Sequence, residues 1–354
     1  MPHYQGLIAR YGQYLDVDPR CAVTLNEGNT ILLKLRNLPK TLGLNANVYI
    51  KFEGLNPTGS FKDRGMTMAM SRAVQDGARA VVCASTGNTA ASAAAYAAAA
   101  GLPCYVLLPD NQIAMGKLAQ AVVYGAHIIA VQGNFDDALR MVLASVEEMG
   151  LTLVNSLNPY RLEGQKTAAF EICDDLGRAP EYLVLPVGNA GNITAYWMGF
   201  TEYFSKGIVQ NKPKIMGFQA WNSAPIVLNK VVEEPETIAT AIRIGNPASW
   251  ERAVAARDES GGLIDRITDE QILAAQRLLA ADGIFAEPAS CASIAGLCDH
   301  VQRGLFRPAE GENIVCILTG NGLKDTNIIM KTDPTIHRCA PEMAPMREIM
   351  TKLM

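Results

Sequence analysis

Asn56-Pro57-Thr58-Gly59-Ser60-Phe61-Lys62-Asp63-Arg64-Gly65 stands between an apolar run, Val48–Phe52, and a helical pattern from about Phe61 to Gln75. The loop is rich in turn-forming residues, and its lysine falls at the start of the helix. A helix start favours negative charge, so a cation there is unfavourable. Burial and the helix dipole both push such a lysine toward its neutral amine. A neutral amine is the nucleophile that Schiff-base formation requires. Taken alone, an ordinary exposed lysine on a first turn explains Lys62 equally well.

Outward from this loop, short apolar strands alternate with helices. Strand Ala80–Ala84, an alanine-rich helix ending at Ala100, strand Cys104–Leu108, helix Met115–Tyr124 and strand Ile128–Val131 come first. Helix Phe135–Met149, strand Leu151–Asn155, helix Leu162–Leu176, strand Tyr182–Pro186 and helix Asn192–Ser205 follow. After strand Lys214–Gln219, Pro235, Gly245 and Pro247 break the pattern across 231–262. Helices Asp269–Ala281 and Ala289–Arg303 precede a last strand, Ile314–Leu318. Short apolar strands separated by helices predict an α/β protein with parallel sheets covered on both faces. Ligands in such folds bind beyond the C-terminal ends of the strands.

The 354 residues are enough for two domains around a cleft. Hydrophobic residues make up 49% and charged residues 19%, so a core of ordinary size is available. A net charge of −4 leaves no electrostatic footprint for nucleic acid and no basic face for a membrane. The stretch from Ala80 to Pro109 carries no charge, but Ser85–Thr89 and Gly101-Leu102-Pro103 break it. A membrane span needs ~20 predominantly apolar residues, so a buried strand, loop, helix and strand fit better. No signal peptide is visible at the N-terminus, and a cytoplasmic location is expected. The eight cysteines form no C-x-x-C pair and sit mostly in apolar runs. They read as reduced, buried, small hydrophobes, and no metal site is expected.

Three further loops follow strand ends. Ser85-Thr86-Gly87-Asn88-Thr89 offers hydroxyls, an amide and free backbone N–H groups at a helix N-terminus, which suits a carboxylate or phosphate. Capping would explain one such residue, not five in a row. Gly188-Asn189-Ala190-Gly191-Asn192 can bring backbone N–H groups close to a phosphate. It lacks the G-x-G-x-x-G spacing of a dinucleotide site. Thr319-Gly320-Asn321-Gly322 ends the last strand, where Thr319 could pair with a ring nitrogen.

Taken in order, these loops resemble the fold type II family of pyridoxal-phosphate enzymes over nearly the whole chain. Within that family the sequence is most similar to the short-form threonine synthases. GLNPTGSFKDRG at Gly54–Gly65, STGNT at Ser85–Thr89, NSLNPYRLEGQKT at Asn155–Thr167, GNAGN at Gly188–Asn192 and EPASCASIAG at Glu287–Gly296 carry the likeness. The third of these is the most specific.

The resemblance implies a tryptophan-synthase-β-like α/β fold. Two parallel-rich α/β/α domains would flank the active site: 53–156 a small domain, with 1–52 and 157–354 forming the large one. It implies pyridoxal 5′-phosphate held as a Schiff base on Lys62. Asn88 would meet the cofactor's phenolic oxygen, Gly188, Asn189, Ala190, Gly191 and Asn192 its phosphate, and Thr319 its ring nitrogen. The implied substrate is O-phospho-L-homoserine, with Ser85, Thr89, Lys117, Ser156 and Arg161 as its candidate partners. The implied reaction adds water and releases phosphate to give L-threonine. A sister enzyme such as cysteate synthase is the nearest alternative. A homodimer is expected by analogy with the fold. No response to S-adenosylmethionine is expected. One departure stands out: the family's Thr-Pro-Leu is Thr30-Ile31-Leu32 here.

Overall fold

The computed structural model describes residues 3–85, 87–110, 113, 115–326 and 336–353. In chain order the first elements are α1 (Leu7–Tyr11), β1 (Leu32–Lys34), α2 (Asn37–Leu42), β2 (Asn47–Phe52) and α3 (Lys62–Gln75). Next come β3 (Val81–Ala84), α4 (Asn88–Ala100), β4 (Cys104–Pro109), α5 (Met115–Val123), β5 (His127–Val131), α6 (Phe135–Met149) and β6 (Thr152–Leu153). They are followed by α7 (Tyr160–Leu176), β7 (Tyr182–Pro186), α8 (Gly191–Ser205), β8 (Lys214–Ala220), α9 (Pro225–Leu228) and α10 (Trp250–Glu259). The chain continues through β9 (Leu263–Ile267), α11 (Asp269–Ala281), α12 (Pro288–Gln302), β10 (Asn313–Leu318) and α13 (Met343–Leu353).

Two sheets form, with orders β1-β2-β10-β7-β8-β9 and β5-β4-β3-β6. Every pairing is parallel except β1 with β2. Each sheet buries apolar side chains on both faces, as its continuous Val/Ile/Leu runs require. Phe170, Tyr196 and Phe200 pack on one side of the first sheet, and Ile50, Phe218 and Ile294 on the other. Tyr96 and Val106 lie on one side of the second, Leu107 and Val142 on the other. Contacts divide the chain into two compact units, 1–324 and 325–354. Within the second, α13 buries no residue.

Two strands escaped the sequence reading. β9 (263–267) begins just past the 231–262 stretch where Gly and Pro break the pattern, and its residues are mostly half-buried, which weakens the apolar signal. β1 is a three-residue edge strand, antiparallel to β2. The strand expected over Leu151–Asn155 shrinks to Thr152–Leu153. All eight cysteines are free; Cys21 is half-buried and Cys339 exposed, which corrects the reading of a uniformly buried set. Among the described residues, no helix is long and apolar enough to cross a membrane. No group of His, Cys, Asp and Glu among them could hold a metal ion.

A buried ion network joins β2, α3 and α7. The Arg64 guanidinium donates to both carboxylate oxygens of Glu53 at 2.6 and 2.8 Å. It also donates to both oxygens of Glu171 at 2.8 and 2.7 Å. Lys51 Nζ lies 2.9 Å from Glu171 and donates to the Thr30 carbonyl at 2.7 Å. Burial raises the Glu171 pKa, but Arg64 and Lys51 outweigh it and hold the carboxyl well below the usual range. The Thr30 hydroxyl donates to Glu53 at 2.8 Å, so this segment is anchored without the proline its family carries.

α3 and α7 cross closely. A Cβ on Gly164 would fall 1.9 Å from the Arg64 carbonyl oxygen, so glycine alone fits. Arg64→Met would leave two carboxylates buried without their shared cation. It is expected to cost about 3–5 kcal/mol, read as a lowered urea midpoint of the cofactor-free protein. A midpoint within experimental error of wild type would show that the network carries no net stability.

Candidate active site

Segments that follow β2 and β10 of the first sheet and β3 of the second meet at the start of α12. The end of β10 is held between two loops. On one side Phe61 N–H donates to the Thr319 carbonyl at 2.9 Å, and Asn321 N–H to the Gly59 carbonyl at 2.9 Å. On the other, Glu287 N–H donates to the Gly320 carbonyl at 3.1 Å, and Gly322 N–H to the Phe285 carbonyl at 3.0 Å. A Cβ on Gly54 would meet the Asn321 nitrogen at 2.6 Å, so the close approach needs glycine there. These contacts fix Lys62, the first residue of α3, against Thr319 and the start of α12.

Lys62 is half-buried, and its Nζ lies 4.4 Å from the centre of the Phe61 ring. Burial, reinforced by the nearby Arg161 charge, pushes its pKa down to about 7, while Glu287 pulls the other way. Near neutral pH a large share of this amine is therefore uncharged. The neighbouring Asp63 accepts from Thr58 Oγ1 and Ser92 Oγ, each at 2.6 Å, and from Thr58 N–H at 2.7 Å. These bonds tie the lysine loop to α4.

Asn88 is the first residue of α4. Its amide Nδ2 donates to the Glu287 carboxylate at 3.1 and 3.3 Å. Ser85 and Thr89 flank it, both half-buried, and Ser85 Oγ accepts from Gly87 N–H at 3.4 Å. Thr86 lies outside the described residues.

The 188–192 loop opens α8. Ala190 adopts the left-handed conformation at φ 62°, unusual for a residue with a Cβ. A Cβ on Gly188 would fall 2.9 Å from the Ile242 Cα. The Asn189 side chain accepts from Ala248 N–H at 2.7 Å, so this residue serves the loop through its backbone. Asn192 Nδ2 is buried and has no hydrogen-bond partner in the structure. A left-handed turn, a helix N-terminus and an orphaned donor together fit a phosphate group.

Thr319 is buried, and its Oγ1 lies 2.9 Å from Ser290 Oγ. Arg161, near the start of α7, is buried, yet its Nε and Nη1 find no partner. Burial lowers its pKa to about 10, against a small opposing effect from Cys83. Ser156 is exposed. Lys117 lies on α5, but its side chain is outside the described residues.

Sequence reasoning gave no role to Glu287, Ser290 or Lys324. The first two sat in plain view within EPASCASIAG, with no residue-level signal to mark them. Lys324 lies just past the last strand. Burial depresses its ammonium, opposed by Glu287 and Asp63, and Nζ donates to Gln120 on α5.

The arrangement offers a nucleophilic amine, a hydroxyl for a ring nitrogen, an amide for a ring oxygen and a phosphate cradle. These fit the parts of pyridoxal phosphate. A family model described as pyridoxal-phosphate dependent enzyme matches residues 23–320. The chain is 58% identical over 334 residues to the threonine synthase of Halalkalibacterium halodurans, covering 94% of this chain and 93% of that protein. It is 54% identical over 353 residues to the threonine synthase of Synechocystis, covering 99% and 91%. For the Methanocaldococcus jannaschii threonine synthase the identity is 50% over 355 residues, covering 97% and 87%. Among solved structures, the processed form of threonine deaminase isoform 2 from Solanum lycopersicum superposes with a TM-score of 0.73 at 22% identity, covering 90% of this chain and 91% of that one. At that identity the likeness speaks for the fold alone, which is the tryptophan-synthase-β-like fold that the resemblance implied. The chain belongs to the family of pyridoxal-phosphate-dependent enzymes and, within it, to the threonine synthases.

Proposed function

We propose that the enzyme converts O-phospho-L-homoserine and water to L-threonine and phosphate. The observation that carries this reading is Arg161, a buried guanidinium with two unpaired nitrogens within electrostatic reach of Lys62. A buried cation without a partner costs stability, and an anionic substrate group would supply the partner. Arginine also matches a dianionic phosphate bidentately.

When bound, the cofactor withdraws electrons from the amino acid joined to it and makes the Cα and Cβ protons removable. Lys62 Nζ would hold the cofactor and, when not joined to it, would serve as the base. It takes the Cα proton, then a Cβ proton, and returns protons later. A pKa of about 7 suits both directions of transfer near neutral pH. Arg161 would face the phosphate as it leaves from Cγ, with Ser156 proposed beside it. Ser85 and Thr89, at the α4 N-terminus, orient the substrate's carboxylate end. Asn88, Thr319 and residues 188–192 would hold the cofactor's oxygen, ring nitrogen and phosphate. Two sheets, one built from 32–52 and 182–318 and the other from 81–153, support a small domain at 53–156 set against a larger one. A cytoplasmic homodimer completes the proposal.

Purified enzyme given phosphohomoserine is expected to release phosphate and threonine in equal amounts. Phosphate release without threonine would sink the reading, as would sulfite incorporation into phosphoserine. Lys62→Ala is expected to lose both the cofactor's visible band and turnover.

Arg161→Met separates binding from folding. It is expected to lower kcat/KM by about 10²-fold or more. The same change removes a buried unpaired charge, so the cofactor-free protein is expected to be no less stable by urea titration. Unchanged kcat/KM for phosphohomoserine would remove Arg161 from the substrate site.

The displaced pKa of Lys62 also has a thermodynamic signature. An ordinary lysine keeps its proton to about pH 10.5, whereas folded Lys62 releases it near 7. Between those values the unfolded chain binds more protons, so folding stability rises with pH. Lys62→Met removes this dependence. The cofactor-free variant is expected to exceed wild type in stability by a few kcal/mol at pH 7, the gap closing as pH approaches 10. Urea midpoints at several pH values test this, and a gap constant with pH would contradict it.

A further inference from the structure

The start of α12 brings a carboxylate into the site. Glu287 is its N-cap residue and is 3% exposed. Its side chain lies so close to the end of β10 that a Cβ on Gly320 would meet the carboxyl carbon at 2.5 Å. Both of its oxygens receive the Asn88 amide, at 3.1 and 3.3 Å. The carboxylate is therefore wedged between the residue facing the cofactor's phenolic oxygen and the strand end facing its ring nitrogen. A site that binds an anionic cofactor and an anionic substrate gains nothing in affinity from a buried carboxylate. Its place calls for another role.

An asparagine amide has a donor end and an acceptor end of nearly the same shape. A carboxylate only accepts hydrogen bonds, so it turns the NH₂ end of Asn88 toward itself. One N–H then points to Glu287, and the other is free to donate to a neighbouring oxygen. A flipped amide would present its carbonyl to the phenolic oxygen and repel it. The carboxylate also acts through space on Lys62, whose charged form it favours.

The geometry points to Glu287 as a positioning residue that fixes the Asn88 amide as a donor and stabilises positive charge on the nitrogen joining Lys62 to the cofactor. This assignment rests on the reading that Asn88 meets the cofactor's phenolic oxygen. The other charged or titratable groups acting in this space are Arg161 from α7, Asp63 from α3, Lys324 after β10 and Cys291 from α12. Arg161 opposes positive charge at Lys62, and Glu287 is the carboxylate that offsets it.

The test is a pH titration of the bound cofactor's visible absorbance, together with the cofactor dissociation constant. Glu287→Gln keeps an acceptor for Asn88 but removes the charge. It is expected to lower the titration midpoint by about one pH unit, with cofactor affinity within about threefold of wild type. Glu287→Leu removes the acceptor as well, and its cofactor affinity is expected to fall about tenfold. Glu287→Asp keeps the charge and is expected to hold the midpoint near wild type. It decides the question should Glu287→Gln fail to fold by circular dichroism.

A Glu287→Gln midpoint equal to wild type overturns the proposal. So does a Glu287→Asp midpoint displaced by a full unit. Asn88→Ala separates this proposal from the reading beneath it. If that variant leaves spectrum and affinity unchanged, the placement of the cofactor against Asn88 has failed. If it alters them while Glu287→Gln does not, only the role of Glu287 has failed.

Discussion

The Arg64 guanidinium, shared between Glu53 and Glu171, fixes where everything else in the site can lie. It joins the strand end that precedes the lysine loop, the helix that follows it and the helix that carries Arg161. Two acids and two bases, Lys51 included, meet where almost no water reaches. Such a group is expensive to desolvate, and hydrophobic replacements often give equal stability. What the ionic version adds is directional: each member accepts only partners at fixed angles, so β2, α3 and α7 have one mutual register. Lys62 lies two residues before Arg64 and inherits that register.

The anchoring matters because the reactive amine sits in an environment that resists its charge. Burial comes first, the Arg161 charge adds to it, and Glu287 partly offsets both. The resulting pKa of about 7 is a balance of opposing influences rather than the product of a single neighbour. A lysine free to swing toward solvent would recover its ordinary basicity. The contacts of Phe61 and Gly59 with the end of β10 prevent this by holding the loop, not the side chain. The glycines at 54, 164 and 320 serve the same end, each allowing an approach that a methyl group would block.

What the sequence disclosed follows from the range of each signal. Loops at strand ends could be read because turn residues, helix starts and apolar runs are local patterns, and Lys62, Asn88, 188–192 and Thr319 all sit on them. The parallel sheets were legible for the same reason. β9 was not, because its half-buried residues lack the unbroken apolar run of an interior strand. The roles of Glu287 and Ser290 were hidden by distance along the chain. Glu287 meets Asn88 across 199 positions, and Ser290 meets Thr319 across 29. No periodicity encodes such meetings. Arg161 was singled out for its charge, but its lack of a partner could be known only once the fold had surrounded it.

The hydroxyl pair at the end of β10 shows how little machinery the ring nitrogen needs. The Gly320 N–H can only donate, and it donates to Ser290 Oγ at 2.8 Å. The Ser290 proton then has two outlets, Thr319 Oγ1 at 2.9 Å and the Gly320 carbonyl at 3.2 Å. That carbonyl already receives Glu287 N–H, so the shorter contact to Thr319 is the better outlet. With Ser290 donating to it, Thr319 Oγ1 keeps its own proton for another acceptor. On the proposed reading, that proton meets a ring nitrogen acting as acceptor, which keeps the ring neutral and its electron demand moderate. What favours positive charge is instead the Glu287 carboxylate, which acts on Lys62. On that reading the site divides its labour: hydroxyls face the ring nitrogen, and one carboxylate partly offsets the burial and the Arg161 charge that discharge Lys62.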